Sequence, residues 1–256
     1  MANEEFKAEM NGFSNIDHVI GVVSGKGGVG KSMVTASLAN ALAAQGYRVG
    51  ILDADITGPS IPKMYDIHEH AMSDTNGIYP AISGNGIEIM STNLVLENEE
   101  DPVVWRGPVI AGVVKQFWTD VIWGTLDYLL IDMPPGTGDV PLTVYQSLPI
   151  EGVLIVTSPQ DLVRMIVTKA FKMAQMMDIP VLGIIENYSY LVCPDCGRKI
   201  SVFGESHIDE IAKELGTTVL GKIPMDAEVA KAADEGAYAG VLSEYLDDAI
   251  VAVTKL

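Results

Sequence analysis

Residues 21–39 read GVVSGKGGVGKSMVTASLA: an apolar run, a glycine-rich loop, then the spacing of a helix. Within it, Gly25, Lys26, Gly27, Gly28, Val29, Gly30, Lys31 and Ser32 fit the pattern G-x-x-x-x-G-K-[ST]. The pattern needs a strand before it and a helix after it, and both are predicted here. Glycines let successive backbone N–H groups turn inward around an anion, and a helix starting at Lys31 adds its positive end. Lys31 is expected to reach the β- and γ-phosphates of a nucleotide, with the Ser32 hydroxyl completing a Mg²⁺ shell. Lys26 is the departure. A second lysine on one loop repels its neighbour unless a strong anion lies between them. From the residues alone, Lys26 is either a solvated surface lysine or a second phosphate contact.

Outward from this loop, continuous apolar runs recur at 18–23, 48–53, 86–91, 128–133, 152–158, 180–186 and 217–224. Unbroken apolarity predicts strands covered on both faces. Helical patterns lie at 31–45, 108–121, 161–177, 205–215, 226–235 and 241–253. The alternation predicts an α/β fold: a doubly wound, mainly parallel sheet with helices on both faces. Residues 1–16 read as a loose arm and 17–256 as a single domain, with polar surface excursions at 66–85 and 93–104. Core packing is expected to account for the methionines at 165, 173, 176 and 177, and Trp105, Trp118 and Trp123 for core or interface aromatics.

The 256-residue chain carries 34 acidic and 16 basic side chains, a formal charge of −18. Such a surface repels phosphate backbones and anionic lipid heads, so neither nucleic acid nor a membrane is an expected partner. Any phosphate site must then be local. The opening MANEEFKAEM lacks the basic and apolar regions of a secretion signal, and a cytoplasmic location with reduced cysteines is expected.

In a doubly wound sheet, ligands sit at the carboxyl ends of strands. Asp132 ends one apolar run ahead of a Pro-Pro-Gly turn, the Walker B arrangement that holds Mg²⁺, and the Gly136 amide in that turn is placed to sense a γ-phosphate. Asp53 and Asp55 end another run. Taken singly, each aspartate is a helix cap or turn former. Asn187 ends a later run; its amide suits adenine, or it caps a buried turn. Cys193 and Cys196 stand at C-x-x-C spacing. Two thiolates do not complete a tetrahedral zinc or four-iron site. In a two-fold dimer, two cysteines from each subunit would make four. A zinc clip across that dimer and a redox dithiol remain open.

The K-G-G-x-G-K-[ST] form at 26–32 resembles the deviant phosphate loop of the MinD/ParA/nitrogenase-iron-protein group, P-loop NTPases of SIMIBI type. The order of KGGVGKS, DADITGPS, VVWRGP, DYLLIDMPPGTGD, TSPQ, ENYS, CPDCG and GKIPMD is similar to that of Mrp/ApbC/Nbp-type iron–sulfur cluster carriers over about residues 17–245. The resemblance implies a homodimeric, Mg²⁺-dependent ATPase holding a [4Fe–4S] cluster between subunits through Cys193 and Cys196 of each, and passing it to apo-proteins. It further implies that Lys26 acts across the interface on the partner's ATP, Asp55 orients the attacking water, Asp53 supports Mg²⁺, and Asn187 meets adenine. Tyr188 departs from the family, which usually has methionine there. The alternatives are a MinD/ParA-like spatial regulator, an electron donor like the nitrogenase iron protein, and a zinc-stabilised scaffold.

Overall fold

The computed structural model describes residues 7–56, 58–96, 107–160 and 163–256. Strand β1 (Asn15–Val23) runs into the glycine loop, and α1 (Lys31–Ala44) carries the chain to β2 (Val49–Asp53). The one-turn α2 (Ile61–Met64), edge strand β3 (Ala81–Ile82) and β4 (Glu88–Ser91) follow, then α3 (Gly107–Thr119) and β5 (Thr125–Asp132). Next come α4 (Asp139–Ser147), β6 (Gly152–Thr157), α5 (Val163–Met176) and β7 (Val181–Glu186). A small hairpin of β8 (Leu191–Val192) and β9 (Lys199–Ile200) precedes α6 (Ile208–Leu215), β10 (Val219–Lys222), α7 (Ala227–Asp234) and α8 (Asp247–Val253).

Eight strands form one sheet in the order β10-β7-β6-β1-β5-β2-β4-β3, parallel except for the β3–β4 pair. Alternate residues along each central strand serve opposite cores. Leu129 and Ile131 face α3 to α6, whereas Tyr128 and Leu130 face α1, α2, α7 and α8. That two-sided burial is why the strands read as unbroken apolar runs. Helix α1 is buried from Val34 to Leu42, so it too lacks a polar face. Its one buried amide is fully occupied: Asn40 donates to the carbonyls of Tyr238 and Val241 and accepts from Tyr65 and Asn85.

The topology positions the site. β1 and β5 are neighbours, yet α1 leaves toward one face and α4 toward the other. Loops diverging from adjacent strands open a crevice at their carboxyl ends. The parallel register sets Asp132 of β5 opposite both Val22 of β1 and Asp53 of β2, so strand ends from three elements converge there.

Several expectations need correction. Helix α4 is absent from the predicted helices; Pro141 sits in its first turn, where no intrahelical N–H bond is required. The segment at 241–253 is a 3₁₀ turn at 244–246 leading into a shorter helix. Met173 and Met177 pack on the core, but Met165 and Met176 are exposed. Trp118 and Trp123 are buried, while Trp105, with residues 97–104 of the second excursion, lies outside the described residues. Part of the expected arm rests on the domain: the Ala8 N–H bonds to the Ser147 carbonyl, and Trp118 donates to the Ala8 carbonyl. No helix among the described residues is long and apolar enough to cross a membrane.

Candidate functional site

The loop between β1 and α1 turns through left-handed backbone at Gly28 (φ 79°) and Gly30 (φ 77°). Gly30 is fixed by space as well. A Cβ there would stand 2.1 Å from Asn187 Nδ2 and 2.9 Å from the Tyr188 hydroxyl. Lys31 opens α1 with its side chain buried, and its Nζ lies 2.7 Å from Asp132 Oδ1 and 3.8 Å from Asp55 Oδ2. Ser32 donates to Asp132 Oδ2 at 2.5 Å and Thr35 donates to Asp132 Oδ1 at 2.9 Å. Asp132 is wholly buried, and a lysine and two hydroxyls gather on its carboxyl group, as a buried carboxyl requires. Thr35 escaped the sequence reading, although it lies one helical turn after Lys31 and so shares its face.

Asp53 is equally buried but differently served. Its carboxyl accepts the Asp55 N–H (3.2 Å), the Ile61 N–H (3.3 Å) and the Ser91 hydroxyl (3.3 Å). Burial, reinforced by the neighbouring Asp132 charge and opposed by Lys31, pushes its pKa up to about 8. Unfolded, the same carboxyl titrates near pH 4. Between these values the unfolded chain has lost a proton that the folded chain keeps, so stability falls as pH rises through this window. Asp53→Asn, uncharged throughout, is expected to flatten that fall in urea melts of the nucleotide-free protein; an unchanged slope would refute the assignment.

The other candidates are placed as follows. Lys26 is half-buried and donates to Gln160 Oε1 in the turn after β6, a partner the sequence did not suggest. Asn187 is fully buried behind the loop, its Nδ2 donating to the Val29 carbonyl at 3.0 Å, while Oδ1 has no hydrogen-bond partner among the described residues. The Gly136 N–H is taken by the Ser24 carbonyl at 2.8 Å, so this amide ties the Pro-Pro-Gly turn to the loop and is not free. Lys31, Ser32, Asp55 and Tyr188 line one open hollow with the loop glycines.

Cys193 and Cys196 belong to a separate structure, the turn joining β8 to β9. Cys193 N–H bonds to the Arg198 carbonyl and Gly197 N–H to the Cys193 carbonyl, with Gly197 at φ 68°. The turn aims the backbone N–H groups of Cys196 and Asp195 at the Cys193 sulfur, which draws that thiol's pKa down. A thiol so biased toward thiolate is prepared for metal or reactive chemistry. Both cysteines are free, Cys196 is exposed, and among the described residues no three His, Cys, Asp or Glu side chains are grouped to hold a metal. Leu191, Val192, Ile200, Val202 and Phe203 expose apolar surface along the same segment.

Residues 15–254 match the family described as NUBPL iron-transfer P-loop NTPases. The chain belongs to that family. The NUBPL-type chain is 48% identical over 238 residues to a protein from Methanocaldococcus jannaschii named iron-sulfur cluster carrier protein, covering 92% of this chain and 82% of the relative. A nucleotide-binding protein from Archaeoglobus fulgidus, solved in complex with ADP, superposes with a TM-score of 0.82 at 41% identity, over 91% of each chain. The cell division ATPase MinD from Pyrococcus furiosus, at 19% identity, shares the fold alone, with a TM-score of 0.64 over 93% of this chain and 99% of its own. In the NUBPL-type chain the glycine loop, Lys31, Ser32 and the strand-end aspartates gather at the ends of β1, β5 and β2.

Proposed function

We propose that this chain is an ATP-dependent iron–sulfur cluster carrier acting as a pair of identical subunits. The observation that supports the reading is a glycine loop with Lys31, Ser32 and buried aspartates at one sheet edge, and a pair of free thiols in the same domain. Cys193 and Cys196 supply two thiolates, a four-iron cluster takes four, and a second copy across a two-fold axis supplies the rest. The apolar side chains beside the thiols give that copy a surface to cover. The cargo is inferred from the carrier name borne by the Methanocaldococcus relative.

In the nucleotide cycle, Lys31 exchanges Asp132 for the β- and γ-phosphates of ATP. The oxygens of Ser32 and Asp132 are hard donors suited to Mg²⁺, which would supply charge neutralisation for phosphoryl transfer. Asp55, already near the Lys31 ammonium, orients the attacking water, and Asp53 holds the β2 end in place behind it. Lys26 leaves Gln160 and reaches the partner's ATP, so nucleotide occupancy biases how the two chains meet and how tightly the cluster is held. Apo-proteins receive the cluster.

Anaerobic reconstitution with iron and sulfide should load about four irons per pair of chains. Transfer to an apo-enzyme should then change in rate when ATP is added. Uptake of one metal by a single chain, or loading with no transfer, would sink the carrier reading; ATP-dependent attachment to anionic vesicles or DNA would favour a spatial regulator instead.

A further inference from the structure

Tyr188 stands where the phosphate loop meets a second, apolar hollow. Its backbone is left-handed (φ 57°), a conformation that a bulky side chain seldom adopts, so the surroundings hold it there. Asn187, immediately before it, is locked to the Val29 carbonyl, and the phenol of Tyr188 lies against Gly30. The hollow on the phosphate side, about 480 Å³, is lined by loop glycines, Lys31 and Asp55. The adjoining hollow, about 460 Å³, is lined largely by apolar and aromatic side chains, including Val34, Ile223, Pro224, Tyr238 and Tyr245. Tyr188, Met33 and Ala230 line both.

A ligand that fills both hollows is anionic at one end and flat and apolar at the other, which is the make-up of a purine nucleoside triphosphate. The rings of Tyr188 and Tyr238 differ in availability. Tyr238 is fully buried, with its hydroxyl 2.7 Å from that of Ser37, so it is core. Tyr188 is only part-buried and keeps surface toward both hollows.

We propose that Tyr188 is the residue that holds the base, stacking its ring on the purine while the loop holds the phosphates. The proposal rests on the nucleotide reading above and adds a ligand contact made by a side chain in which this chain departs from its resemblance group. Aromatic–base stacking is sequence-tolerant and contributes affinity without a fixed hydrogen-bond pattern.

The test is calorimetric binding of Mg-ATP and of base-free Mg-tripolyphosphate to the full chain and two variants. Tyr188→Ala is expected to weaken ATP by about tenfold or more and to leave tripolyphosphate within about twofold of the parent. Tyr188→Phe keeps the ring and should stay within about threefold for ATP. Equal losses for both ligands would make Tyr188 a prop for Gly30 and overturn the proposal, as would an alanine variant that loses nothing. A phenylalanine variant as weak as alanine would assign the effect to the hydroxyl and overturn stacking. If the parent binds neither ligand, the phosphate-site reading falls and the base contact with it. Should the variants fold poorly, photolysis of 2-azido-ATP on the unmutated protein decides the matter. Label is expected in the segment 186–190, and label confined to other segments would overturn the proposal.

Discussion

Cys193→Ser is expected to reduce reconstituted iron to background while ATP affinity stays within about twofold of the parent. Serine keeps the size of the side chain, but its hydroxyl does not ionise in the range where a thiol does. The N–H groups of Asp195 and Cys196 that favour the Cys193 thiolate would face a neutral oxygen. Each pair of chains would then offer two thiolates where a four-iron cluster takes four. The loss should be nearly complete because a cluster with half its thiolates leaves irons without a protein ligand. ATP binding survives because, among the described residues, the thiol hairpin shares no backbone ladder with the phosphate loop: β8 pairs with β9 and, through Leu191, with Met225. Iron counting and absorbance on the anaerobically reconstituted variant, beside calorimetry with ATP, check both halves. A serine variant that loads and transfers a full cluster would remove the thiol pair from the function.

How much of this was legible beforehand depended on whether the information was local. The glycine loop announced itself because its residue types are dictated by backbone conformation; Gly28 and Gly30 do take left-handed φ. The strand ends at Asp53 and Asp132 were legible because apolar runs stop where the sheet stops. Their mutual placement was not, since the register of β5 between β1 and β2 is set by long-range pairing. The Lys31–Asp132 ion pair, the Thr35 contact and the raised Asp53 pKa all follow from that pairing. Helix α4 was hidden by Pro141, because a proline punctuates a sequence whether it ends a helix or begins one. Gly136 shows the same limit on a smaller scale: sequence put an amide in the right turn, but only the fold shows that Ser24 occupies it.

Lys31→Met should abolish ATP binding and hydrolysis and also destabilise the nucleotide-free protein by about 3–5 kcal/mol. These effects have different causes. The first follows from losing the ammonium that meets the β- and γ-phosphates, where charge develops in phosphoryl transfer. The second arises because Lys31, at 5% exposure, neutralises Asp132, at 0%. Methionine preserves the apolar stem but leaves the carboxyl group buried with, among the described residues, the Ser32 and Thr35 hydroxyls as donors. A second substitution separates the two causes. Asp132→Asn keeps an acceptor for those hydroxyls and removes the stranded charge, so the Lys31→Met/Asp132→Asn protein should regain most of the lost stability. It should still fail to bind or hydrolyse ATP, since neither the phosphate cation nor the Mg²⁺ carboxylate returns. Urea melts and calorimetry with ATP read the two properties independently. A single variant as stable as the parent would deny the buried pair its role in the empty site. A double variant that hydrolyses ATP would deny the phosphate loop its chemistry. The buried pair is therefore tied to the proposed nucleotide cycle: Lys31 and Asp132, in contact with each other here, are the two groups that ATP and Mg²⁺ would divide between them.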